Sequence, residues 1–186
     1  VDEALSTERP YVIFKTTPFP HQIREWEHSR ALPHRGLWWE MGCAKSKVVI
    51  DTAAWLFEAG EIDAVLVVAP NGVHRAWAED QIPLHLPGDQ WSPVHVWSTQ
   101  KAKTAKHLDD AACVLNAERE LSWLCMSYDG LMTEAGRSFA KEFLTLRRCL
   151  YVLDESHYIK NPSAKRTKRV MASADLAPYR RALPGT

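Results

Sequence analysis

Two pairs of residues in this sequence could do chemistry together. Lys45 and Ser46 lie in "EMGCAKSK" (40–47), and Asp154 and Glu155 lie far downstream in "YVLDESHYIKN" (151–161). The first string is close to G-x-x-x-x-G-K-[ST], whose backbone N–H groups wrap phosphates while the Lys reaches the terminal ones and the hydroxyl binds Mg²⁺. Trp39 and Ala44 occupy the two glycine positions, with only Gly42 between them. If position 44 needs a positive φ, its Cβ costs about 1–2 kcal/mol; otherwise Ala is nearly free. Taken alone, "AKS" reads more simply as a Lys and a Ser opening an ordinary helix, because such strings are common.

The downstream pair shifts the balance. Tyr151, Val152 and Leu153 form an apolar strand that delivers two adjacent carboxylates at its carboxyl end. Asp154 suits a hydrated Mg²⁺ shared with Ser46, and Glu155 suits an attacking water that must be oriented and deprotonated. A helix cap is the simpler use of a carboxylate here, but it does not require two. The two strings together predict a nucleotide and Mg²⁺ site, the nucleotide being ATP on the resemblance described below. Gly42, Cys43, Ala44, Lys45, Ser46 and Lys47 would bind the phosphates, Ser46 and Asp154 the metal, and Glu155 and Lys45 would act in catalysis.

The elements around these residues must place them at strand ends. Helical patterns run over 20–30, 45–60, 71–82, 99–120, about 135–147 and 163–174. Apolar strand patterns run over "GLWWEM" (36–41), "DAVLVVAP" (63–70), 92–98, 121–128, 149–155 and 179–183. Alternating strands and helices predict βαβ units, hence a mostly parallel sheet with helices on both faces. Ligands of such sheets sit at the carboxyl ends of the strands.

Composition narrows the class. The 186 residues are 46% apolar and fit a single domain with a sizeable core. Lys plus Arg and Asp plus Glu each number 23, which argues against a global polyanion-binding field but allows a local basic face. The four cysteines are widely spaced and read as reduced and not metal-binding. No apolar run approaches the roughly 18 residues of a membrane span, and the N-terminus has no secretory pattern, so the expectation is a soluble intracellular chain with no membrane partner. Val1 at the start, and an end just after the apolar Ala182-Leu183, lead us to expect a piece excised from a longer protein.

Asp154-Glu155-Ser156-His157 resembles the D-E-x-H box of superfamily-two helicases and translocases. The longer "DESHYIKNPSAKRTK" resembles Swi/Snf-like DNA translocases, including phage and bacterial members. Other landmarks follow in the family's order. "PFPHQIREW" is similar to the Q-motif region, so Gln22 would read the adenine edge, with Phe19 nearby. "VLVVAPNGVHRAW" resembles motif Ia, with Ala69 and Pro70 at a strand end and Trp77 in the next helix. "CMSYDGL" resembles a nucleic-acid contact motif around Ser127 and Tyr128. "RRALPGT" resembles motif III, although Pro184 replaces its usual Thr or Ser. The resemblance covers roughly residues 18–186. It implies a RecA-like P-loop NTPase fold of three layers, serving as the first motor domain, and a second such domain beyond this sequence that supplies arginine fingers. It implies the cytoplasm of a bacterium or phage-infected host, and a role for His157 in linking nucleotide to motif III rather than binding metal.

"KNPSAKRTKR" concentrates Lys160, Lys165, Arg166, Lys168 and Arg169 in ten residues. A charge run is normally a solvated helix face. In this family context we read it as a phosphate-contacting surface for nucleic acid, double-stranded DNA in particular, with Asn161 and Ser163 adding polar contacts. The eight tryptophans need no cofactor; Trp38, Trp39, Trp55 and Trp97 read as core. The rival reading is a nucleotide- or nucleic-acid-binding module whose turnover has been lost through Ala44 and Pro184.

Overall fold

The computed structural model describes residues 14–40, 42–88 and 92–185. Six strands pair in parallel into one sheet: β1 (His34–Gly36), β2 (Ala64–Ala69), β3 (Val94–Val96), β4 (Ser122–Ser127), β5 (Cys149–Asp154) and β6 (Tyr179–Leu183). Their spatial order is β1-β6-β5-β2-β4-β3. Every residue of β2 and β4 is buried, as a strand covered on both faces requires, and their runs AVLVVA and SWLCMS show no polar alternation.

Alternate residues of β2 divide the core in two. Val65, Val67 and Ala69 pack with Trp26 of α1 (Pro20–Ser29), with Val49, Ala53 and Leu56 of α2 (Lys45–Glu58), and with Trp77 and Ile82. Ala64, Leu66 and Val68 face the opposite layer. There they meet Val114 of α5 (Ala105–Asn116), Leu131 of α6 (Tyr128–Met132), Phe143 of α7 (Glu134–Leu146) and Val170 of α8 (Lys165–Ala174). The result is a three-layer α/β fold, with the parallel sheet between two helix layers that the segment pattern predicts and of the RecA-like kind that the resemblance implies.

Several boundaries differ from the sequence reading, each for a local reason. The first strand lies at 34–36 rather than 36–41. Leu37 N–H still bonds Ala182 O at 2.9 Å, after which the chain leaves the sheet edge to build the loop. Trp38 consequently stands 81% exposed and is not core; Met41 lies outside the described residues. The helix expected over 71–82 begins after Gly72, at φ 86°, and has three parts: α3 (Val73–Ala76), a π-helical turn Trp77–Gln81, and α4 (Ile82–His85). Pro83 has no N–H to donate back along this helix, and the wider turn directly precedes it. The expected 99–120 helix shrinks to α5, with Thr104 capping His107 N–H. Its face is not wholly solvated: His107 is buried against His95 of β3 and Trp97.

Among the described residues two non-glycines take left-handed backbone, Ala44 at φ 49° and Glu155 at φ 51°. Both directly follow or precede a candidate chemical group. For Ala44 the strain of about 1–2 kcal/mol exceeds the roughly 0.5–1 kcal/mol of chain entropy that a glycine loses on folding. Ala44→Gly should therefore stabilise the fold by about 0.5–1 kcal/mol. A calorimetric Tm raised by about 1–4 °C is the expected result; a lowered Tm would contradict the left-handed assignment.

Candidate functional site

The loop between β1 and α2 is shaped by its backbone. Gly42 at φ 80° and Ala44 at φ 49° turn the chain into the first turn of a 14-residue helix that has no acidic residue there. The leading N–H groups and positive dipole end of such a helix suit an anion. Lys45 Nζ donates to Trp39 O at 2.9 Å and Glu40 O at 3.3 Å, so the ammonium lies across the loop. Ser46 Oγ donates to Gln81 Oε1 at 2.6 Å.

β6 separates β1 from β5, so the loop, the end of β6 and the end of β5 share one rim of the sheet. At the end of β5, Asp154 Oδ2 accepts from Trp77 Nε1 at 2.8 Å and Oδ1 accepts from the N–H of Glu155 at 2.9 Å. Tyr128 donates its hydroxyl to the Asp154 carbonyl at 2.9 Å. Burial pushes the Asp154 carboxyl above its ordinary pKa, while the two N–H donors and the nearby Lys45 ammonium oppose that rise.

Glu155 and His157 form a pair, with Oε2 and Nδ1 3.2 Å apart. Gly185, just beyond β6, closes on them. A Cβ there would overlap the Glu155 carboxylate and lie 3.0 Å from His157 Nδ1. The expected neighbours of nucleotide and "RRALPGT" thus meet at Gly185, one residue past Pro184. Sequence reading missed Gly185 because a glycine's contribution here is the space it leaves.

Other expected site residues are placed differently. Gln22 is buried and its amide is used within the protein. Oε1 accepts from Phe19 N–H at 2.8 Å, and Nε2 donates to Ala44 O at 3.2 Å and Cys43 O at 3.5 Å. It braces the loop and presents no open polar edge to a base. Phe19 is 62% exposed beside it and stacks on His21, which meets the edge of Trp39. The Lys47 side chain turns away from the loop into a buried ion pair with Asp51 at 2.8 Å, because positions i and i+4 share a helix face.

The other half of the sheet rim carries an open groove of about 380 Å³ whose walls include Asn71, Arg75, Gln100 and Thr133. Pro70 marks the end of β2 here and accepts from His74 N–H. Ser127 and Tyr128 are buried and internally bonded. Ser127 Oγ caps α6 through Gly130 N–H, and Tyr128 stacks on Tyr158 at 5.5 Å. Ser127 is nonetheless among the residues that line the groove, whereas the Tyr128 hydroxyl is turned to the Asp154 carbonyl. Arg166 pairs with Asp129 at 2.7 Å, and Asn71 donates to the same carboxylate. Lys160, Lys165 and Lys168 are exposed and make no ion pair among the described residues. Asn161 Oδ1 accepts from Ser163 N–H and Oγ, fixing the turn that leads into α8.

The donor set fits Mg²⁺. Among the described residues no three His, Cys, Asp or Glu side chains gather as a metal cage. One carboxylate and one hydroxyl are the sparse hard-oxygen set Mg²⁺ uses when phosphates and water complete its shell. No helix among the described residues is long and apolar enough to cross a membrane.

No model of a known protein family matches the sequence, and no curated protein matches it. Solved structures do match. The chain is similar to the Sulfolobus solfataricus SWI2/SNF2 ATPase core in complex with dsDNA, at 21% identity and TM-score 0.67 over 93% of this chain. It is also similar to the UvsW helicase from bacteriophage T4, at 13% identity and TM-score 0.62 over 91%. It spans 33% of the first of those chains and 52% of the second. What is shared at such identities is the fold alone, a RecA-like α/β domain.

Proposed function

We propose that this chain is the ATP-binding first motor domain of a Swi/Snf-like superfamily-two DNA translocase. It would work with a second RecA-like domain to couple Mg-ATP hydrolysis to movement on DNA. The observation that carries this reading is the meeting of Lys45, Asp154, Glu155 and Gly185 on one rim of the sheet. The likeness to a core in complex with dsDNA adds support for the nucleic-acid partner.

In this reading Lys45 exchanges the carbonyls of Trp39 and Glu40 for the β- and γ-phosphates. Ser46 and Asp154 hold Mg²⁺, which when bound offsets charge on the phosphates. Glu155 orients a water and accepts its proton, and His157, 3.2 Å away, fixes which carboxylate oxygen faces that water. Gln22 acts by bracing the loop, leaving the exposed Phe19 ring to meet the base. Lys160, Lys165 and Arg166 contact DNA phosphates, Arg166 after release from Asp129.

A binding module with impaired turnover is the second reading, favoured by the strained Ala44. Its strain corresponds to about tenfold or somewhat more in affinity. A closing arginine finger is worth about 10³–10⁵ in rate. Absence of the partner domain is therefore the larger handicap for this chain alone. Lys45→Ala should abolish most ATP affinity in a fluorescent-nucleotide titration; unchanged affinity would remove the phosphate-loop assignment. In the two-domain protein Glu155→Gln should keep nucleotide binding while stopping DNA-stimulated hydrolysis. Equal loss of both would exclude Glu155 as the base. The 186-residue chain by itself should hydrolyse ATP barely or not at all, with Ala44→Gly tightening binding modestly. Brisk hydrolysis from Ala44→Gly alone would make the loop, rather than the absent domain, the true lesion.

A further inference from the structure

The π-helical turn Trp77–Gln81 touches both proposed metal ligands at once. Trp77 Nε1 donates to Asp154 Oδ2 at 2.8 Å, and Gln81 Oε1 accepts from Ser46 Oγ at 2.6 Å. Resting on the nucleotide reading above, we infer that Gln81 and Trp77 are positioning residues that set Ser46 and Asp154 in the orientation a divalent cation requires.

The chemistry is specific to a hydroxyl ligand. A serine oxygen binds a cation through a lone pair, so its proton must point elsewhere. With Gln81 Oε1 as acceptor, the Ser46 proton is directed along the 2.6 Å hydrogen bond and the lone pairs remain for the metal. Asp154 is held in the complementary way. Each carboxylate oxygen receives one N–H, from Trp77 and from Glu155, which fixes the plane of the carboxylate and leaves a further lone pair on each oxygen. Trp77 is fully buried and Gln81 half-buried, so neither hydrogen bond is a loose surface contact. Residues four apart project to one side of the helix, which lets a single turn serve both ligands. Partners of this kind behind a metal ligand typically govern metal affinity by about 10–100-fold.

The test is a Mg²⁺ titration of fluorescent-ATP binding by the 186-residue chain, with an EDTA arm as baseline. Gln81→Leu removes the acceptor and should raise the Mg²⁺ concentration for half-maximal effect about tenfold, with affinity in EDTA unchanged. Gln81→Glu keeps an acceptor oxygen and should stay near the parent chain. Trp77→Phe keeps the packed ring, loses the N–H, and should shift the Mg²⁺ midpoint in the same direction as Gln81→Leu. In a Ser46→Ala background Gln81→Leu should add nothing, which a merely structural role would not predict. A Gln81→Leu midpoint equal to the parent's, or an undiminished shift in the Ser46→Ala background, would overturn the inference. Nucleotide binding by the parent chain with no response to Mg²⁺ would also overturn it, leaving the binding reading intact. No nucleotide binding at all would sink both.

Discussion

Three hydrogen bonds converge on Asp154, and much of the molecule is arranged to supply them. Its two carboxylate oxygens take N–H donors from Trp77 and from Glu155, and its carbonyl takes the hydroxyl of Tyr128. A mostly buried carboxylate is costly unless such donors surround it. Trp77 comes from the helix after β2 and Tyr128 from the helix after β4, so two connections are moored to the last residue of β5. The desolvation that raises the Asp154 pKa is the same burial that makes its orientation well defined.

That mooring divides the carboxyl rim of the sheet into two working halves. The proposed phosphate loop, Gly185 and Glu155 lie over β1, β6 and β5, whereas the groove lies over β2, β4 and β3. Asp154 sits beside the boundary, since β5 pairs directly with β2. The helix segment that begins at the groove with Arg75 continues into Trp77 and Gln81, which reach the other half. A ligand pressing on Arg75 in one half would therefore act on a helix segment whose Trp77 and Gln81 bond Asp154 and Ser46 in the other.

Much of this was legible in the sequence. The uninterrupted apolar runs of β2, β4 and β5 mark central parallel strands because no alternation survives burial on both faces. Lys45 and Ser46 at the start of α2, and Asp154 and Glu155 at the carboxyl end of β5, stand where the alternation of strand and helix patterns places them. Surroundings were less legible than positions, because residue type underdetermines environment. Trp38 is apolar yet exposed, since the chain has already left the sheet at Leu37. Lys47 continues the motif in sequence but turns to Asp51 in space. Gln22, Ser127 and Tyr128 bear polar groups whose partners lie inside the protein, and nothing local in the sequence announces those partners. Gln81 could have been suspected only from its spacing to Trp77.

Among the described residues the two edge strands, β1 and β3, are three residues each and pair on one side only, whereas β2 is buried and paired on both. Local opening is cheapest at such edges. In hydrogen-exchange terms β2 would form the slow-exchanging centre of the molecule, and β1 a margin that opens in sub-global fluctuations. β1 is also the strand that feeds the loop carrying Lys45. The proposed nucleotide cradle is thus hung from one of the least protected parts of the sheet, and its geometry persists only while the ladder between β1 and β6 stays closed.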